Sequence, residues 1–214
     1  MENQFIFDSQ KLSDGALAKK HRLENDPSSR RDLMTYLPGM EQIESDICQK
    51  VISQMDSYDY SAYTARDVRR ALAASVCSVD DFKALLSPAA EPVLEQMAER
   101  AQRDTGRHFG NTVYLFTPLY IANYCSNYCV YCGFNCYNSI RRMKLSFEQI
   151  EHEMKVIADS GMEEILILTG ESRKESDVEY IGEACRLASK YFRNVGLEIY
   201  PVNTDDYRYL HACG

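Results

Sequence analysis

Apolar positions along this chain change their spacing near Gly110, from a helical period to strands alternating with helices. From Met40 to about Met55 the residues Ile43, Ile47, Val51 and Ile52 recur at helical spacing. A second helix starts at Thr64-Ala65-Arg66-Asp67, where the Thr can cap free backbone N–H groups and the Asp three residues on can reach back. Ser78-Val79-Asp80-Asp81 repeats that signal ahead of Phe82, Leu85 and Leu86. Ser87-Pro88 then opens a longer helix, with Pro at the first position, where its missing N–H is not needed. This helix carries Leu94, Met97 and Ala101 to about Thr105 and is expected to stop at Gly106.

After Gly110 the segment Thr112 to Phe116 is short and β-prone and reads as a strand. Ser146-Phe147-Glu148-Gln149 caps a helix with Ile150, Met154, Ile157 and Ala158 on one face, ended by Gly161. Glu164 to Thr169 is nearly all apolar, as expected of a strand buried on both faces in a parallel sheet. Ser176-Asp177-Val178-Glu179 caps a helix that turns Ile181, Ala184, Cys185, Ala188 and Phe192 inward. Leu197 to Tyr200 is a third strand and Thr204 begins a third helix. Three βα units in succession argue for a parallel sheet with right-handed crossovers. The expected organisation is a polar, mobile arm over residues 1–37, a helical region over 38–106, and an α/β part over 107–214.

A length of 214 residues allows one good core or two small ones. The formal charge of −8, from 24 Lys and Arg against 32 Asp and Glu, argues against a nucleic-acid surface. Arg141, Arg142 and Lys144 form a small basic cluster, read as a solvated face with an anion site as the alternative. The start MENQFIFDSQ lacks the pattern of a signal peptide, and the strongest aliphatic run, Ile165 to Leu168, is far short of a membrane span. A cytoplasmic protein with no membrane partner is the expectation.

Eight Cys would be many for such a protein without a metal site. Cys125, Cys129 and Cys132 stand within TPLYIANYCSNYCVYCGF, so one short loop can bring three thiolates to one inorganic centre. A four-iron, four-sulfide cube held by three thiolates keeps one iron open to a small molecule. Cys136 could close a four-thiolate zinc or iron–sulfur site instead, although structural zinc sites usually draw Cys pairs from two elements. Cys136 is read as a small loop residue. A disulfide framework does not suit this chain.

The Cys-x3-Cys-x2-Cys spacing, with Tyr131 just before the third Cys and Gly133 just after it, resembles the radical S-adenosylmethionine (SAM) superfamily. More closely, LLSPAAEPVLEQMAERAQ, HFGNTVYLFTPLYIANYC, CVYCGF and LILTGE, in that order, are similar to the tyrosine lyases of thiazole biosynthesis, the 2-iminoacetate synthases, from about residue 34 onward. The resemblance implies a radical SAM (β/α) barrel of which the first three βα units are present, preceded by a helical N-terminal region. It implies a [4Fe–4S] cluster on Cys125, Cys129 and Cys132, with SAM at the open iron and Tyr131 near the adenine. Thr169-Gly170-Glu171 would face the methionine amino group, the Gly letting backbone approach the ligand and the Glu171 carboxylate complementing an ammonium. Glu198 and Asn203 are further expected SAM contacts. The implied reaction cleaves the Cα–Cβ bond of L-tyrosine to 2-iminoacetate (dehydroglycine) and p-cresol. An electron donor, the thiazole synthase and a sulfur-carrier protein would be partners.

A (β/α)8 barrel takes roughly 200 to 250 residues by itself, so the chain is expected to be an amino-terminal part, with an open strand edge and no tyrosine turnover on its own. The nearest enzyme alternative is the tyrosine lyase of [FeFe]-hydrogenase maturation; the LTGE wording and the match over Ser87 to Gln102 favour the thiazole enzyme. A non-catalytic four-Cys zinc protein and an inert product of a truncated gene are the readings from other classes.

Overall fold

A computed structural model describes residues 14–26 and 36–214. The chain divides into two units, one of Ile43–Tyr114 and one of Met1–Gln42 with Leu115–Gly214. The stretch expected to be a mobile arm carries helix α1 (Asp14–Asn25), with Asp14 in its first turn and Arg22 in its last, the charge order that complements a helix dipole. Residues 1–13 and 27–35 of that stretch lie outside the described residues.

The unit Ile43–Tyr114 holds four helices, α2 (Ile47–Asp56), α3 (Ala65–Ala73), α4 (Val79–Leu86) and α5 (Leu94–Phe109), with a 3-10 turn at Pro88–Val93. Helix α2 begins later than the apolar period suggested, so Ile43 precedes it, and its side chains Ile47, Val51, Ile52 and Met55 are exposed. The two capping signals form as read. The Asp67 carboxylate accepts from the Thr64 amide and hydroxyl (3.0 and 2.6 Å), and Ser78 and Asp81 exchange side-chain-to-amide bonds of 3.1 and 3.0 Å. Arg100 on α5 donates to the carbonyls of Ala71 and Leu72 (2.7 and 2.9 Å), which closes the end of α3. Gly106 does not stop α5. It sits inside the helix, a tolerable cost of about 1 kcal/mol, and the chain leaves at Gly110 with φ +64°.

In the other unit, the strand expected at Thr112–Phe116 forms instead at Thr117–Ala122 (β1), while Val113, Tyr114, Leu115 and Phe116 are exposed and outside any strand. Its parallel partner β2 (Glu164–Thr169) fixes the shift, pairing Thr117 with Ile165 and Leu119 with Ile167. Pro118 is tolerated because β1 lies at an edge of the sheet. Likewise β3 (Asn194–Glu198) starts three residues earlier than expected, because its register sets Asn194 opposite Glu164 and Leu197 opposite Ile167. The sheet order is β1-β2-β3, all parallel, and among the described residues β3 pairs with β2 alone.

Strand alternation turns Leu119, Ile121, Ile165 and Ile167 to one face. There they form a core with Ile150 and Met154 of α6 (Phe147–Asp159), Ile181 and Ala184 of α7 (Val178–Ala188) and Leu210 of α8 (Thr204–Ala212). The register sets Tyr120, Leu168 and Glu198 in one row toward the opposite face. Past the end of β1, Met143 to Leu145 runs antiparallel to it, through Asn123 N–H to Met143 O (3.0 Å) and Leu145 N–H to Ile121 O (2.9 Å).

Tyr180 of α7 ties these parts together, its hydroxyl lying 3.0 Å from Ile121 O and 2.8 Å from Leu145 O. Burial pushes its phenol up to about 12, so it stays a donor. Tyr180→Phe leaves those carbonyls with one donor fewer and is expected to cost about 1–3 kcal/mol, read as a lower urea midpoint at an unchanged slope.

Candidate metal-cluster and cofactor site

The carboxyl ends of β1 and β2 meet over one loop. β1 delivers the chain through Asn123 and Tyr124 into Cys125, and the loop holding Cys125, Cys129, Cys132 and Cys136 returns along Met143 to Leu145. Cys125, Cys132 and Cys136 are half-buried, and Cys129 is exposed. Burial pushes the Cys129 thiol up, and Cys125 and Cys132 add to the rise. Cys136 packs against Tyr137, as do Tyr128 and Leu17, and the Tyr128 and Tyr137 rings stack at 6.2 Å. Among the described residues no group of three His, Cys, Asp or Glu side chains is arranged to hold a single metal ion.

The loop is held by backbone and amide groups. Cys132 N–H donates to Cys129 O (3.2 Å), Asn135 N–H to Cys132 O (3.0 Å) and Cys136 N–H to Asn127 O (2.8 Å). Asn135, only 1% exposed, donates its side-chain amide to Cys129 O (2.8 Å) and accepts from Tyr137 N–H (2.9 Å). Asn138 donates to Gly133 O (3.1 Å).

The end of β2 is bonded to the same loop. Gly170 N–H donates to Ala122 O (3.2 Å), and the Ser126 amide and hydroxyl donate to Glu171 O (3.0 and 3.3 Å). The Glu171 carboxylate accepts from the Asn127 side chain at 2.6 Å. A Cβ on Gly170 would lie 2.3 Å from Tyr124 O and 2.9 Å from the Cβ of Cys125. The space beside Gly170 is thus filled by the cysteine loop itself, whereas the sequence suggested that the glycine left room for a ligand.

The other expected site residues fall around this centre unevenly. Tyr131 projects outward, 79% exposed. Glu198, at the end of β3, is exposed and pairs in register with Leu168. Asn203 is occupied as the N-cap of α8. Its side chain also accepts from Glu41 N–H (3.0 Å) and donates to Gly39 O (2.9 Å). The Glu41 carboxylate, accepting from the Thr204 amide and hydroxyl (3.0 and 2.6 Å), is held below the ordinary carboxylate range.

Arg141 and Lys144 of the basic cluster are exposed, as a solvated face requires, and Arg142 is half-buried. Lys144 lies over the Tyr180 ring, 4.2 Å from its centroid, and Arg142 is turned onto carbonyls of the cysteine loop. A cleft of about 470 Å³ lies beside them, lined by Tyr120, Asn123, Cys132, Phe134, Met143 and their neighbours. Sequence reading missed Asn127 and Asn135 and named Arg142 only as part of the basic cluster. The signal available for the two Asn was the density of Asn around the cysteines, since Asn supplies both a donor and an acceptor to a loop without regular pairing.

By the chemistry of its groups the donor set fits a cluster with three protein ligands: three thiols carried by one loop, beside a carboxylate just past the end of the next strand.

No family model matches the chain. It is 42% identical over 151 residues to the 2-iminoacetate synthase of Escherichia coli (strain K12), which covers 71% of this chain and 40% of that protein. It is 41% identical, with the same coverage, to the 2-iminoacetate synthase of Salmonella typhimurium. The 3-methylornithine synthase of Methanosarcina acetivorans is 38% identical over 94 residues, 44% of this chain and 27% of that one. In fold, the chain is similar to a crystal structure of HydG, a maturase of the [FeFe]-hydrogenase, with a TM-score of 0.68 at 23% identity, over 78% of this chain and 39% of that one. The HydG of Carboxydothermus hydrogenoformans gives 0.53 at 20% identity over 93% and 39% of the two chains. This chain spans about 40% of the length of the curated relatives it matches. Over that shared stretch the chain is similar to the 2-iminoacetate synthases, and its three βα units on a parallel sheet share the fold of the part of HydG they match.

Proposed function

We propose that this chain is the cluster- and SAM-binding part of a tyrosine lyase that cleaves the Cα–Cβ bond of L-tyrosine to 2-iminoacetate and p-cresol for thiazole synthesis. The observation that carries the reading is the cysteine loop at the end of β1, hydrogen-bonded to Gly170-Glu171 at the end of β2. Cys125, Cys129 and Cys132 would hold a [4Fe–4S] cluster. Held there, the cluster would supply the one-electron reduction that cleaves the sulfur–C5′ bond of SAM. Glu171, oriented by the Asn127 amide, would receive the ammonium of the SAM methionine. Tyr131 and Glu198 would flank the adenosyl part. Tyrosine, an electron donor, the thiazole synthase and a sulfur-carrier protein complete the proposal, with the cytoplasm as the location. Among the described residues no helix is long and apolar enough to cross a membrane.

Anaerobic iron–sulfur reconstitution, followed by visible absorption and EPR of the reduced protein with and without SAM, tests this. A cubane-type signal that shifts on adding SAM is the expected result. Colourless zinc binding that requires Cys136 would overturn it. A second reading, the tyrosine lyase of hydrogenase maturation, draws on the fold similarity to HydG, and the higher identity to 2-iminoacetate synthases weighs against it.

A further inference from the structure

Four backbone carbonyls around the cysteine loop lie at one guanidinium. Arg142 donates to Asn123 O (2.6 Å) and Phe134 O (2.9 Å) through one terminal nitrogen. Its other terminal nitrogen reaches Asn135 O (2.8 Å) and Asn138 O (3.4 Å). These acceptors sit before the first cysteine and after the third, so a single side chain joins the entry of the loop to its exit. Asn123 takes part from the other direction, its side chain donating to Arg141 O (2.9 Å) and accepting from Met143 N–H (2.7 Å). The half-buried Arg142 side chain is therefore flanked on both sides by backbone bonds to the same Asn.

Loops that carry no strand or helix lose their shape unless their polar groups find partners. Here three carbonyls of the irregular run from Cys125 to Asn138, with that of Asn123 before it, are gathered by a donor that stays charged at every relevant pH and presents its N–H groups in a rigid planar fork. Lys in its place would offer one ammonium point, unable to span carbonyls that lie on both ends of the loop.

We infer that Arg142 is a positioning residue that pre-forms the three-cysteine loop before any cluster is loaded, and that cluster retention depends on it. The inference rests on the cluster reading for its second half only. Its first half concerns the loop as folded here.

The test compares the full-length chain with Arg142→Ala and Arg142→Lys, each without iron, by amide hydrogen exchange, and then after anaerobic reconstitution, by iron release to a chelator. In the iron-free parent protein the amides of Cys132, Asn135 and Cys136 are expected to be protected. In both variants they should exchange roughly tenfold faster or more, the scale set by losing charge-assisted hydrogen bonds, while the amides of α7 keep their protection. Reconstituted Arg142→Ala should release iron several-fold faster than the parent and give a broadened EPR signal. Unprotected loop amides in the iron-free parent, or protection unchanged in Arg142→Ala, would overturn the pre-forming role. A general loss of protection including α7 would also overturn it, by making Arg142 a global fold determinant. Full rescue by Arg142→Lys would refute the fork. A parent that takes up no iron would fail the cluster reading and, with it, the retention half of the inference, while the exchange data still decide the other half.

Discussion

Replacing Cys125, Cys129 or Cys132 by Ala, one at a time, is expected to reduce bound iron from about four per chain to near zero and to abolish the visible absorption of the reconstituted protein. Cys136→Ala should keep both. The contrast comes from where the side chains lie. Cys125, Cys129 and Cys132 are carried by the part of the loop that bonds to Glu171 through Ser126 and Asn127, while Cys136 lies in an apolar cluster around Tyr137. The exposed Cys129 can be truncated with almost no loss of packing, so its variant should fold as the parent does. Cys136→Ala removes a half-buried sulfur and should lower stability by about 1 kcal/mol, a cost visible in urea titration but not in iron content. Iron analysis with visible spectra of the four variants decides the matter. Equal iron loss in all four would establish a four-thiolate centre, leaving no open iron for SAM.

Whether the Cys-x3-Cys-x2-Cys motif and the helix caps could be read from sequence depended on how local their causes are. A capping box spans four residues, and those at Thr64, Ser78 and Ser146 form where they were read. The run Glu164–Thr169 was legible as a buried strand because every position in it but the ends is aliphatic. Strands β1 and β3 were misplaced by several residues because pairing with β2, a non-local constraint, sets their limits. Gly106 was taken for a helix stop on propensity alone, and α5 continues through it. In the candidate site, the cysteines stood out by type and spacing, and Glu171 was named only through the family resemblance. Arg142, Asn127 and Asn135 did not stand out, because their work is bonding to backbone groups whose positions exist only once the loop is folded. The exposed stripe on α2 shows the same limit from the other side, since its helical period was plain and its burial was not.

Gly170→Ala is expected to be among the most damaging single substitutions in the α/β unit, costing about 3 kcal/mol, the upper end for over-packing, and lowering iron retention with it. The added Cβ would sit 2.3 Å from Tyr124 O and 3.0 Å from Tyr124 C, backbone atoms that no side-chain rotation can move away. Relief requires the end of β2 to separate from the cysteine loop. That movement strains Gly170 N–H to Ala122 O, Ser126 N–H to Glu171 O and the Asn127 bond to the Glu171 carboxylate. Gly133, directly after the third cysteine, is the control. A Cβ there meets nothing within 4 Å, it lacks the positive φ seen at Gly39, Gly110 and Gly161, and Gly133→Ala should change stability by no more than about 0.5 kcal/mol. The comparison also separates two roles for Gly170. If its purpose were only to admit SAM, Gly170→Ala would unfold in urea like the parent when no iron or SAM is present, and would differ only in the SAM-dependent EPR shift. If the glycine exists so that the cysteine loop can lie against β2, the loss of stability appears in the iron-free protein, and the steric contacts at Tyr124 and Cys125 predict that second result.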